Sequence, residues 1–168
     1  MKMIVVVARD WGIGCEGDLL FKLPKDMEFF KNATKNHIVV MGRKTLDSLP
    51  GGKSLKNRVN VVLTSDVNFK REGCIICNSV EKLLQGLKKY DLEDVYVIGG
   101  SKIFDELRDY CKEAYITKVD TIVAADTYLH NFDEDENWKL DYQSEDNFDN
   151  GFKFTFNTYK NLNVKTID

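Results

Sequence analysis

Asp26 is the residue through which this chain could do chemistry: it opens a helix after Leu23-Pro24-Lys25, with Phe29, Phe30 and Ala33 following at helical spacing. Pro24 suits the first helical position, where its missing N–H is no loss, and an acid in the first turn complements the helix dipole. Helix grammar alone favours that structural reading. The functional reading is that the carboxylate receives the amidine-like or 2-amino N–H donors of a flat ring lying along the phenylalanines. Burying an unpartnered acid among aromatic side chains would otherwise be costly.

Three further segments could hold an anion. Met41-Gly42-Arg43-Lys44-Thr45 follows a strand pattern and leads into a helix, which points backbone N–H groups at a phosphate beside two cations. Val97-Ile98-Gly99-Gly100-Ser101-Lys102 repeats the plan: an apolar strand, a Gly pair that lets backbone approach closely, then a helix start expected to be capped by Ser101. It is not a G-x-G-x-x-G fingerprint. Leu63-Thr64-Ser65 ends a third strand with two hydroxyls suited to ribose or phosphate oxygens. Each signal is weak alone, because strand-to-helix turns carry Gly and Ser for local reasons. Together, at the carboxyl ends of strands in an open α/β sheet, they would converge on one extended nucleotide.

The elements that must position these residues follow from periodicity. Strands are predicted at Ile4 to Ala8, His37 to Met41, Val59 to Leu63, Cys74 to Cys77, Val95 to Ile98 and Ala114 to Val119. Helices are predicted at Pro24 to Thr34, Thr45 to Ser48, Ser79 to Lys89 and Ser101 to Tyr110. This alternation means α/β, and the near-continuous apolar strands suit a mostly parallel sheet covered on both faces. Residues 133–150 read as acidic and turn-rich. Phe152, Phe154 and Phe156 then alternate with polar residues as an antiparallel strand closing one sheet edge. Residues 1–160 are expected to form one domain, with 161–168 as a frayed tail.

Composition agrees with one globular domain: 168 residues, 43% hydrophobic. A net charge of −3 argues against nucleic acid or an anionic membrane as main partner, while local basic clusters can hold a small polyanion. The apolar start Met1 to Ala8 is too short to span a bilayer and reads as a buried strand. The four cysteines, Cys15, Cys74, Cys77 and Cys111, are expected to be reduced thiols of a cytoplasmic protein. Cys74-Ile75-Ile76-Cys77 has C-x-x-C spacing, but His37 and His130 supply no second ligand pair and the segment reads as a buried strand, so no metal is expected.

The order and spacing of Ile13-Gly14, Leu23-Pro24-x-Asp26, Phe29-Phe30-Lys31, Met41-Gly42-Arg43-Lys44-Thr45, Ser48-Leu49, Arg58-x-Asn60-Val61-Val62-Leu63, Ile98-Gly99-Gly100 and Asp126-Thr127 resemble dihydrofolate reductase of the bacterial, chromosomal type over nearly the whole chain. The resemblance implies a single-domain fold of that family, its mostly parallel sheet carrying an antiparallel C-terminal strand and flanked by helices. It further implies an oxidoreductase of one-carbon metabolism, in which hydride passes from NADPH to C6 of 7,8-dihydrofolate and solvent protonates N5. By the family pattern Asp26 accepts from the pterin 2-amino group and N3, with Thr117 helping through a water. Phe30, Leu49 and Leu55 line the benzoyl part, Arg58 pairs with the glutamate α-carboxylate, and Ile4, Val5, Ser48 and Ile98 complete the substrate side. On the cofactor side the pattern implies Arg43, Lys44 and Thr45 at the phosphates and Thr64 and Ser65 near the 2′-phosphate. Gly99 and Gly100 lie under the nicotinamide, across a cis peptide. Val6, Ile13, Gly14, Asp18, Leu19, Gly42, Leu63, Ser101, Lys102 and Ile103 complete the set. Gly12 to Asp18 is expected as a mobile loop over the nicotinamide, with Asp126 bonding back to it. Antifolate inhibitors are expected ligands, and a monomer is expected.

The chain also departs from that pattern, with Leu20-Phe21 in place of Pro-Trp, Leu46 in place of Trp, Ser101 in place of a third Gly and Phe104 in place of Tyr. None removes a catalytic group. Two rivals stand beside the reductase reading: a pyrimidine reductase of riboflavin synthesis on the same scaffold, and a non-catalytic nucleotide-binding module.

Overall fold

The computed structural model describes residues 1–168. Its centre is a nine-stranded sheet built from β1 (Lys2–Val7), β4 (Ile38–Gly42), β5 (Val59–Leu63), β6 (Cys74–Cys77), β7 (Val95–Gly99), β8 (Glu113–Val119), β10 (Trp138–Gln143), β11 (Asn147–Asp149) and β12 (Phe152–Asn161). The strand order is β10-β12-β8-β1-β7-β4-β5-β6, with β11 paired beside β12. From β8 to β6 every pairing is parallel, as the continuous apolar runs require, and β12 is antiparallel to β8. A second, three-stranded sheet joins β2 (Gly12–Cys15), β3 (Asp18–Leu19) and β9 (Thr127–Tyr128).

Alternation along β1 divides the core. Met3 and Val7 enter a 24-residue cluster that also holds Leu83, Leu84 and Leu87 of α3 (Val80–Leu87) and Ile103, Phe104 and Leu107 of α4 (Ser101–Leu107). Ile4 faces the other way, into a cluster with Val39, Met41, Val62, Phe69 and Tyr96. That face is covered by Phe29, Phe30 and Ala33 of α1 (Pro24–Thr34) and Leu46 of α2 (Arg43–Ser48). No helix is long and apolar enough to cross a membrane.

Four expectations need correcting. The acidic stretch contains strands β10 and β11, and β10 rather than β12 lies at the sheet edge. Trp138, Leu140 and Tyr142 do alternate with polar residues, but the surrounding acids mask that period. Ser79 caps α3 by accepting from the Lys82 N–H at 3.1 Å, whereas Ser101 is the first residue of α4, because Gly100 takes the extended cap conformation before it. Cys74–Cys77 is an outer strand with only partial burial, and all four cysteines are free. The C-terminal residues fold back: the Lys165 N–H donates to the Asp109 carbonyl at 2.9 Å, Gln85 Nε2 donates to the Asp168 carbonyl at 2.9 Å, and Ile167 packs on the large cluster.

Candidate active site

β1 stays in register with β8 from Lys2 through Val7, but with β7 only at Lys2 and Met3. Beyond that point β1 and β7 part, and β7 also shifts register against β4 at Met41 and Gly99. The result is a crevice at the carboxyl ends of the strands, where open α/β sheets take their ligands. Ile4, Val5 and Val6 lie along one lip and Ile98 along the other. Val5 turns its side chain into the large cluster on the opposite face, so it offers the crevice only main chain.

Asp26 lies in the first turn of α1, partly buried, and Thr117 Oγ1 of β8 donates to its Oδ1 at 2.6 Å. The contact is direct because α1 packs close enough to β8 for the short hydroxyl to reach. Burial pushes the Asp26 carboxyl above the usual range and the Thr117 hydrogen bond pulls it partly back. Phe30, Leu49, Leu55 and Ile98 pack on the Ile4 cluster and form one apolar wall beside it. Phe29 turns to Tyr115 and Phe156, with ring centroids at 6.1 and 5.1 Å. Ser48 is exposed and donates to its own helix at the Thr45 carbonyl, 2.7 Å away.

Arg58 is held at the end of this wall. Its Nε donates to Thr34 Oγ1 at 3.1 Å and its Nη1 to the Lys56 carbonyl at 2.9 Å, and burial lowers its pKa from the usual value. It forms no ion pair within the protein, which leaves a charged fork for an external carboxylate.

The residues expected on the cofactor side lie at the ends of β4, β5 and β7. Gly42 and Gly100 cap α2 and α4 without side-chain hydrogen bonds, and the Gly99–Gly100 peptide is cis. A Cβ on Gly42 would stand 3.0 Å from Ile103 Cγ1, and one on Gly99 would stand 3.3 Å from Thr45 Oγ1. Backbone is therefore brought flush with its neighbours where a nucleotide would lie, so the residues present fit such a group. Lys44, Ser65 and Lys102 are exposed, Thr45 and Thr64 partly so, and Ser101 opens α4. Leu63 and Ile103 are buried in the core and support the floor.

Gly12 to Asp18 is organised as a hairpin, with Gly14 opposite Leu19 and Cys15 opposite Asp18. Asp18 and Leu19 are exposed, and Ile13 is buried. Asp126 Oδ2 accepts from the Glu16 N–H at 2.8 Å, and Thr127 Oγ1 donates to Asp126 Oδ1 at 2.7 Å; these bonds hold the Asp126 carboxyl below its usual range. A cavity of about 360 Å³ lies away from this cleft, and its charges are paired locally: Asp120 with Arg9 and Lys153, and Lys118 with Asp133. His37 and His130 make surface pairs with Asp94 and Asp135. No group of three His, Cys, Asp or Glu side chains is placed to hold a metal.

With this geometry the comparisons agree. The family model described as dihydrofolate reductase matches residues 1–161. The chain belongs to the dihydrofolate reductase family. It is 37% identical over 128 residues to the dihydrofolate reductase of Bacillus subtilis, covering 76% of this chain and 73% of that one. With the enzyme of Staphylococcus aureus it shares 38% over 131 residues, covering 77% and 78%. With the bifunctional dihydrofolate reductase-thymidylate synthase of Glycine max it shares 33% over 177 residues, which span 94% of this chain but only 33% of that protein. In structure it resembles dihydrofolate reductase from Enterococcus faecalis complexed with NADP(H) and RAB-propyl, with a TM-score of 0.86, 32% identity and 95% coverage of both chains.

Among dihydrofolate reductase positions three of the departures sit in the core, while Leu20 and Ser101 are half-buried. Phe21 is buried edge-on to Phe152 with centroids at 5.1 Å, Leu46 is fully buried, and Phe104 packs beneath Gly99. Two groups of positioning residues went unread in the sequence. Asn60 exchanges two hydrogen bonds with the Leu55 main chain, both 2.9 Å, and donates to the Arg58 carbonyl at 3.1 Å, so one buried amide fixes the segment carrying Leu55 and Arg58. Asp149 Oδ2 accepts from the Lys25 N–H at 2.8 Å, and Asn150 Nδ2 donates to the Lys22 carbonyl at 2.7 Å. α1 has no side-chain cap of its own at Leu23, so the β11–β12 turn caps the helix that carries Asp26. The Asn150-Gly151 dipeptide, with both φ positive at 48° and 82°, is the hairpin signal that could have revealed it.

Proposed function

We propose that this chain reduces 7,8-dihydrofolate to 5,6,7,8-tetrahydrofolate with NADPH. The observation that carries the reading is the partly buried Asp26, bonded by Thr117 at 2.6 Å, at the mouth of a sheet crevice whose other strand ends bring Gly42, Gly99 and Gly100 together.

When bound, NADPH would supply the hydride that reduces pterin C6. Asp26 accepts from the pterin 2-amino group and N3, and its charge favours the ring's protonated form while a solvent molecule protonates N5. The raised pKa of the free protein fits this role, since a cationic ring replaces the solvation that the carboxylate has lost. Thr117 fixes the carboxylate rotamer. Phe30, Leu49 and Leu55, with Ile4 and Ile98, hold the ring system and benzoyl part in an apolar slot, and Arg58 pairs with the glutamate α-carboxylate. Arg43, Lys44, Thr45, Thr64, Ser65, Ser101 and Lys102 hold the phosphates, while the hairpin carrying Ile13, Gly14, Asp18 and Leu19 covers the nicotinamide. Asp126 acts on that hairpin as a positioning residue.

Antifolates that present 2-amino or amidine donors fit the same carboxylate. One chain carries every group named, so a monomer suffices. Residues 1–160 form the catalytic unit, with 161–168 docked on it, and four free thiols suit the cytoplasm. The test is the loss of NADPH absorbance with purified protein and 7,8-dihydrofolate. A rapid, antifolate-sensitive loss supports the reading. No loss from folded protein that binds NADPH overturns it.

A further inference from the structure

A cation beside the proposed 2′-phosphate position is already answered by an acid. Arg43 Nη1 lies 3.2 Å from Asp66 Oδ2, both side chains are about half exposed at 47% and 46%, and Asp47 stands 3.8 Å from the same guanidinium. Asp66 does not sit there loosely. Its Oδ1 accepts from the Asn68 N–H at 3.0 Å, its own N–H donates to Thr64 Oγ1 at 3.2 Å, and Asn78 Nδ2 donates to its carbonyl at 3.3 Å. Arg43 has other anchors: its guanidinium lies 4.5 Å from the centroid of the buried Phe69 ring, with Arg71 at 5.2 Å from the same ring and paired to Asp47 at 2.9 Å. Losing Asp66 would therefore leave Arg43 in place.

Nucleotide sites separate the two nicotinamide cofactors by the group that meets the adenosine ribose. A carboxylate accepts from the 2′-hydroxyl of NADH, and an arginine accommodates the 2′-phosphate of NADPH. This chain places one of each within hydrogen-bonding distance of the other, next to Thr64 and Ser65. A 2′-phosphate must share Arg43 with Asp66 and bears its repulsion, while a 2′-hydroxyl gains an acceptor. Resting on the assignment of this cleft to NADPH, we propose that Asp66 is a specificity-determining residue. It narrows the preference for NADPH over NADH and lets the enzyme use NADH at a reduced but substantial efficiency.

The test is Asp66→Asn, which keeps the side-chain shape and removes the charge. Expected is a rise of about tenfold in the ratio of kcat/KM for NADPH to that for NADH, carried mainly by the cofactor KM values and shrinking as salt is added. The dihydrofolate KM should stay unchanged. A parallel titration of wild type and variant with 2′-phosphoadenosine and adenosine reads the same preference without turnover. An unchanged or lowered ratio, in turnover or in the titration, overturns the proposal. If wild type oxidises neither cofactor with dihydrofolate, the reductase reading itself has failed.

Discussion

On the folate side of the cleft a single partly buried carboxylate, Asp26, has one side-chain partner at 2.6 Å and no cation beside it. On the cofactor side Arg43, Lys44, Thr45, Thr64 and Ser65 stand at exposed or partly exposed strand ends, and Arg43 shares its charge with Asp47 and Asp66. The first region gains strength from desolvation, which magnifies one charge and leaves no substitute for it. On the proposed function the second would spread a polyanion over several screened contacts, each worth at most about 1 kcal/mol. Sensitivity to single substitutions should therefore differ sharply between the two.

The largest effect is expected at Asp26. Asp26→Asn should lower turnover at neutral pH by about 10²- to 10³-fold, the range for removing one preorganised electrostatic stabiliser, while NADPH affinity, read by fluorescence titration, survives. The same variant should be more stable than wild type at neutral pH. An acid whose folded pKa is raised contributes stability that is present at low pH and lost as pH rises through that pKa, so the gap in Tm should close as the medium is acidified toward about pH 4.

Next comes Arg58→Leu, which removes the unpaired fork. The dihydrofolate KM should rise about a hundredfold with kcat nearly held, since truncating one side of a desolvated charge pair costs about 2–5 kcal/mol. A similar loss in kcat would instead tie Arg58 to the chemistry. Asp149→Ala removes the only side-chain cap of α1 and should cost about 1 kcal/mol, a fall in Tm of about 2–4 °C by calorimetry. The smallest change is expected for Lys44→Ala, a rise of about fivefold or less in the NADPH KM that vanishes at high salt. A hundredfold loss there would break the contrast between the two halves.

Legibility follows the same division. The parallel strands were readable because burial on both faces makes Ile38 to Met41 and Val59 to Leu63 nearly continuous in apolar residues, and α1 was readable from Pro24 and its aromatic spacing. The strand ends at Gly42, Gly99 and Gly100, with Thr64 and Ser65, were readable because their Gly and hydroxyl residues are local in sequence. What stayed hidden depends on partners far along the chain: Thr117 donating directly to Asp26, Asp149 reaching the Lys25 N–H across 124 positions, and the crevice opened where β1 and β7 part. β10 stayed hidden because one buried residue, Trp138, anchors a strand that is otherwise exposed.

The pH dependence of turnover, measured in parallel for wild type and Asp26→Asn, tests the central claim most directly. If Asp26 supports the protonated ring while solvent delivers the proton, acid should substitute for the missing charge, and the large gap at neutral pH should narrow as pH falls. A gap that is absent at neutral pH, or that keeps its size across the range, would contradict the role given to Asp26.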